Sequence, residues 1–125
     1  MLGDKTAVAT IAVKDMEVAK KFYERTLGLT KSGDDPGGIL YKSGDSNVFV
    51  YQSEFAGSNK ATAASWGVGG DMDKIMAGLK AKGVKFEQYD IPGVKREGDV
   101  HVIGELKAAW FKDPDGNILN IVNQM

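Results

Sequence analysis

His101 is the only histidine in the chain, and so the one imidazole available for proton transfer or metal ligation. It stands in the stretch DIPGVKREGDVHVIGELK, with Lys95, Arg96, Glu97, Asp99 and Glu105 around it. Glu97, Asp99 and His101 alternate, so on an extended segment they share a face. One imidazole and two carboxylates would suit a divalent cation. Donors set side by side on one strand, however, converge on a point only with ligands brought from elsewhere. A solvated, charged loop running from Asp90 to about Lys107 is the simpler expectation. Loops longer than about 12–15 residues are frequently functional. A third expectation is therefore that Arg96 or His101 closes over the mouth of a site and orients an anionic or carbonyl-bearing ligand.

Other chemistries find little support. There is no cysteine, which removes disulfides, thiolate catalysis and cysteine-held zinc. No glycine-rich phosphate loop opens a helix, and the glycines of GVGGD lack dinucleotide-binding spacing. Ser43 and Ser65 have no histidine near them in sequence, so a nucleophilic triad would have to recruit His101. The formal charge of −1 argues against a nucleic-acid or anionic-membrane footprint. Trp66 and Trp110 are accordingly expected in the core rather than as base-stacking platforms. The first ten residues, MLGDKTAVAT, do not read as a signal peptide, and no stretch approaches the ~20 apolar residues that span a bilayer. A soluble, cytoplasmic protein is expected.

The elements that would position these groups repeat along the chain. Thr6 to Val13 reads as a strand. Asp15 caps a helix carrying Val18, Ala19, Phe22, Tyr23 and Leu27, which Gly28 stops. A hairpin follows, Ile39–Tyr41 and Val48–Tyr51 around Ser43-Gly44-Asp45. ASWGV begins the pattern again. A second helix starts near Asp71, with Met72, Ile75, Met76 and Leu79 on one face, and stops at Gly83. VKFEQY reads as a strand, and AAWFK and NILNIV as two strands joined by an Asp-Pro-Asp-Gly turn. Strand, helix and further strands, twice over, imply an α+β fold with helices on one face of the sheets.

The helix VKDMEVAKKFYERTLGL and the closing hairpin AAWFKDPDGNILNIV resemble the vicinal oxygen chelate superfamily, which includes glyoxalase I, extradiol dioxygenases and the fosfomycin and bleomycin resistance proteins. DMDKIMAGLKAKGV fits the same scheme. The resemblance implies a single glyoxalase/bleomycin resistance/dioxygenase-like domain over 1–125. It would be built from two βαβββ modules, about 6–53 and about 62–124, whose curved mixed sheets form a cup. It also implies a homodimer. In metal-dependent members the ligands come from the first strand of each module, a late strand of the first module and the last strand. Transferred by position, they fall on Val8, on Ala63 or Ala64, near Phe49 or Tyr51, and on Asn120. None is a strong donor: valine and alanine have none, and a neutral amide alone is weak.

With the ligands apparently lost, no cofactor is expected, a divalent metal at a displaced site being the alternative. If Val8 faces the cup, so do Thr10 and Ala12, with Ile118, Asn120 and Val122 on the last strand. Phe49 and Tyr51 would add aromatic surface, Arg96 and His101 a polar mouth. Such a lining suits a small organic ligand. It is also what a filled core would look like. Three functions follow: a metal-free small-molecule-binding protein; a lyase, isomerase or dioxygenase of the superfamily; and an interaction module whose cup is filled by its own side chains.

Overall fold

The computed structural model describes residues 1–124, for Asp35 the backbone alone. The chain divides into two compact units, the first ending at Ala56 and the second beginning at Gly57.

The first unit runs β1 (Ala9–Val13), α1 (Met16–Lys20), a π-helical turn (Lys21–Thr26), β2 (Thr30–Asp35), β3 (Gly38–Ser43) and β4 (Ser46–Gln52). Its sheet has the order β1-β4-β3-β2, with β1 parallel to β4 and the other pairs antiparallel. Asp15 starts the helix as its sequence position suggests. Its Oδ1 accepts from the amides of Glu17 (2.9 Å) and Val18 (3.3 Å), which the first turn otherwise leaves unpaired. The expected continuous α-helix does not persist. From Lys21 the winding widens, and Leu27 N–H bonds Phe22 C=O, five residues back. The apolar spacing of Val18, Ala19, Phe22 and Tyr23 is compatible with either winding. Gly28, at φ 76°, ends the helix in the left-handed conformation a C-terminal stop requires. Ile11, Val13, Ala19, Tyr23, Tyr41 and Val50 make this unit's core.

The second unit contains β5 (Thr62–Gly67), a 3₁₀ turn (Gly69–Asp71), α2 (Met72–Ala81), β6 (Phe86–Glu87), β7 (Lys95–Glu97), β8 (Val100–Ile103), β9 (Leu106–Lys112) and β10 (Ile118–Val122). The order is β5-β10-β9-β8-β7, with β6 also on β9, and β5 is parallel to β10. The path β5-β10-β9-β8 repeats β1-β4-β3-β2 element for element. The α+β class and the paired βαβββ modules expected from the sequence are thus what the chain forms. Met72, Met76 and Leu79 of α2 are buried, as are Ala109, Phe111, Leu119 and Ile121 of the sheet.

Three expectations need correction. The first strand begins at Ala9, not Thr6. The strand expected over VKFEQY is only Phe86–Glu87. The stretch from Asp90 to Lys107 is not a long irregular loop: Lys95–Glu97 and Val100–Ile103 form a hairpin that extends the sheet. Lys95, Arg96 and Glu97 are all exposed. A strand with no buried side carries no apolar alternation to reveal it.

The Asp113–Asn117 turn is tight, as read. Asp113 Oδ1 accepts from the amides of Asp115 (3.0 Å) and Asn117 (2.8 Å), its Oδ2 accepts from Asn117 Nδ2 (2.8 Å), and Gly116 takes φ 87°. This turn fixes the register that sets Asn120 opposite Trp110 and Leu119 opposite Phe111.

Candidate functional site

Register decides which side chains share the face of the second sheet opposite α2. On β10, Leu119 and Ile121 pair with the buried Phe111 and Ala109, while Asn120 pairs with Trp110 and Val122 with Ala108. Directly paired residues point the same way. His101 pairs with Ala108, Arg96 with His101, and Glu87 with Trp110. One face therefore carries Asn120, Trp110, His101, Arg96 and Glu87, with Ser65 opposite Asn120 on β5.

The aromatic groups on this face pack together. The His101 and Trp110 rings stand perpendicular with centroids 4.9 Å apart. Tyr89 meets Trp110 edge-on at 5.6 Å and lies 5.9 Å from His101. Trp110 Nε1 donates to Thr62 Oγ1 at 3.0 Å, which ties β9 to the start of β5. Thr62, Tyr89, Ile91, Trp110, Ile118 and Lys60 line an open cleft of about 430 Å³. That is the size of a small-ligand site, with an apolar aromatic body and few polar groups. A second hollow of about 350 Å³ lies at the start of α2 and is lined by Asp73, Glu97 and Lys107 with Gly69 and Gly70; it lacks aromatic surface.

Three buried side-chain polar atoms among the described residues have no hydrogen-bond partner: Tyr89 Oη, His101 Nδ1 and Asn120 Oδ1. His101 is 1 % and Asn120 7 % exposed. A buried polar group left unsatisfied costs about 1–3 kcal/mol. Tyr89 and His101 pack on Trp110 and Asn120 stands opposite it, and three such atoms around one tryptophan are an unusual concentration. Burial holds the Tyr89 phenol protonated above the usual tyrosine range, and the carboxylate of Glu87 acts in the same direction.

His101 and Asn120 come together on this face, but not as sequence reasoning pictured. His101 is no mouth residue; it is a buried strand residue whose Nε2 accepts the Tyr89 amide at 2.9 Å. Arg96 lies on the exposed outer strand, 3.5 Å from Asp90. Trp110, expected in the core, is half-exposed and walls the cleft. Tyr89 and Thr62 escaped sequence analysis altogether. Only the pairing of β6, β8 and β9 brings Tyr89 to His101, and no local pattern marks it.

In the first unit, the face opposite α1 carries Thr10, Phe49 and Tyr51. Thr10 pairs with Phe49, and the Phe49 and Tyr51 rings lie nearly parallel with centroids 6.0 Å apart. Both aromatics are half-buried and Val8 is exposed. Thr10 Oγ1 donates to Val8 C=O at 3.1 Å.

The residues do not fit a divalent cation. Among those described, no three His, Asp or Glu side chains are grouped to hold one. Asp99, a member of the alternating set, turns instead to Gln88 Nε2 (3.0 Å) and Lys80 Nζ (3.0 Å). These contacts hold its carboxyl below the usual range, the Gln88 hydrogen bond most strongly. Of the two alanines that could match the second module's ligand position, Ala64 stands opposite Leu119, on the helix side.

Two βαβββ modules, each with a parallel pairing of first and last strands, define a class of α+β proteins built by internal duplication. The chain belongs to the Glyoxalase/Bleomycin resistance protein/Dioxygenase superfamily, whose sequence model matches residues 5–121. Solved structures agree on the fold. A glyoxalase family protein from Enterococcus faecalis superposes with a TM-score of 0.73 at 17 % identity, covering 98 % of this chain and 99 % of that one. An integron cassette protein from the mobile metagenome of the Halifax Harbour sewage outfall gives 0.71 at 19 % identity, with 95 % and 97 % covered. The fosfomycin resistance protein FosX from Mesorhizobium loti gives 0.70 at 14 % identity, with 100 % and 95 % covered. No curated protein sequence is significantly similar. Among the described residues, no helix is long and apolar enough to cross a membrane.

Proposed function

We propose that the chain binds a small organic molecule in the cleft walled by Thr62, Tyr89 and Trp110 of its second unit, the ligand's apolar body lying against Trp110 and Tyr89. The observation that carries this reading is the set of partnerless polar atoms on Tyr89, His101 and Asn120 beside an aromatic cleft. Folding leaves those atoms without hydrogen bonds at a free-energy cost, and a ligand that meets them recovers it. Binding rather than metal-assisted catalysis is the reading, because Val8 and Ala63 have no side-chain donor and Asn120 offers only an amide.

A thermal-shift screen followed by calorimetry tests it. Small aromatic molecules are expected to raise the melting temperature in proportion to the logarithm of their concentration above Kd. Fosfomycin belongs in the panel because proteins of the same fold confer resistance to it. A panel that leaves the melting temperature unmoved removes the reading. Elemental analysis of the purified protein is the second arm. Stoichiometric nickel, zinc, iron or manganese, lost on His101→Ala, would replace binding with metal-dependent lyase, isomerase or dioxygenase chemistry.

A further inference from the structure

The cleft of the second unit is uneven in what it offers a ligand. Ile91, Trp110, Ile118 and the Tyr89 ring make its apolar body. Lys60 is the one charged residue lining it, and no carboxylate among the described residues pairs with that ammonium. The neighbouring charges cancel in pairs. Glu87, opposite Trp110, lies 3.4 Å from Lys112, and Asp90, next to Ile91 in sequence, lies 3.5 Å from Arg96. Asn59 Oδ1 accepts the Ala61 amide at 3.1 Å, which closes the turn that carries Lys60.

Thr62 leans the same way. Its Oγ1 accepts from Trp110 Nε1 at 3.0 Å, so the hydroxyl hydrogen is left for a further acceptor. This direction cannot be reversed, because an indole nitrogen only donates; so does an ammonium. Lys60 and Thr62 are two residues apart, which puts their Cα atoms at most about 7 Å from one another. With lysine's flexible four-carbon stem, both donors can converge on one small group at this end of the cleft. A cation there would meet a like charge, and a neutral group would leave the ammonium without a counter-charge. A single unmatched cation suits a monoanion.

We propose that the ligand is an aromatic carboxylate. Its ring lies against Trp110, and its carboxylate accepts from Lys60 Nζ and Thr62 Oγ1. This rests on the binding reading above and specifies its chemistry.

Calorimetric titration of the unaltered protein at low ionic strength with cinnamate, cinnamamide and cinnamylammonium reads the preference. The three share one apolar body and differ in charge. Cinnamate is expected to bind at least about threefold more tightly than cinnamamide, and cinnamylammonium more weakly than either. Added salt should narrow the gap between cinnamate and cinnamamide, because an exposed charge is screened. Lys60→Met, at an exposed position, should bring those two level. If that variant fails to fold, the ranking and its salt dependence in the unaltered protein decide alone. Either comparison probe binding as tightly as cinnamate, or a preference that survives salt or Lys60→Met intact, overturns the carboxylate inference while the binding reading stands. If none of the three binds, the inference falls, and the broader panel decides separately on the binding reading.

Discussion

The backbone N–H of Tyr89 is bonded to the ring of His101, at 2.9 Å from Nε2, because two strands compete for one edge of β9. β6 pairs Phe86 with Phe111 and Glu87 with Trp110; extended by two residues it would set Tyr89 against Ala108. His101 of β8 already occupies that place. β6 must therefore leave the sheet, and the imidazole takes the amide that the ladder cannot. His101→Phe keeps a ring against Trp110 but removes the acceptor. It is expected to cost about 1–3 kcal/mol, read as a lower denaturant midpoint at unchanged m. In the unaltered protein, nitrogen-15 NMR should find the ring proton on Nδ1; a proton on Nε2 instead would remove the latch.

Tyr41 Oη donates to Glu24 Oε2 at 2.8 Å in the first unit, and Tyr41 is 1 % exposed. Burial first, then the Glu24 hydrogen bond, raise its phenol above the ordinary range. The folded chain thus holds a proton that the unfolded chain releases near pH 10. The stabilisation is complete below that pH and is lost as pH rises above it. Tyr41→Phe should cost about 1–2 kcal/mol at neutral pH and flatten the alkaline limb of the stability curve. A residual slope from Tyr89, shifted the same way, should remain. Equal alkaline slopes in the two proteins would refute this account.

Asp99 works at the opposite end of the scale. Gln88 and Lys80 lower its folded pKa, so its contribution is present above the unfolded carboxylate range near pH 4 and is lost as pH falls through and below it. These contacts tie the β7–β8 turn to the end of α2 and to the residue after β6. Asp99→Asn should cost on the order of 0.5–1 kcal/mol at pH 7, the scale of a partly exposed pair. Melting curves of the variant and the unaltered protein should converge below about pH 3. A difference that persists in acid would mean that the charge is not what holds the turn.

Local chemistry explains which of these features were legible in the sequence. Asp15, Gly28, Gly83 and the Asp113–Asn117 turn act through their own neighbours, so residue type alone announces them. Ile118–Val122 was equally readable as a strand, because it is a short apolar run after a turn, and Leu119 to Val122 are buried on both sides. Lys95–Glu97 has no buried side, and the burial of His101 depends on a partner strand. The Tyr89–His101–Trp110 cluster is a product of register between three strands, and register is set by long-range packing that no window of sequence contains. Asn120 was legible as an oddity; its partnerless oxygen was not.

Gly57 offers the sharpest test of how the closing turn is held. Its amide lies 3.3 Å from Asn117 Oδ1, so the turn that organises β9 and β10 also fastens the start of the second unit. Gly57 has φ 71°, and a Cβ built on it would overlap the Asp115 carbonyl oxygen. Backbone cannot retreat as a flexible side chain would, and Asp115 is fixed by its own hydrogen bond to Asp113. Gly44, in the β3–β4 turn, has φ 56° but open space around it. Both alanine substitutions incur the left-handed backbone cost of about 1–2 kcal/mol. Only Gly57→Ala adds a steric conflict, so it is expected to lose at least about 1 kcal/mol more than Gly44→Ala in paired denaturant titrations. If the two variants unfold at the same midpoint, the close approach of Gly57 to Asp115 is not part of the folded state, and the turn stands without it.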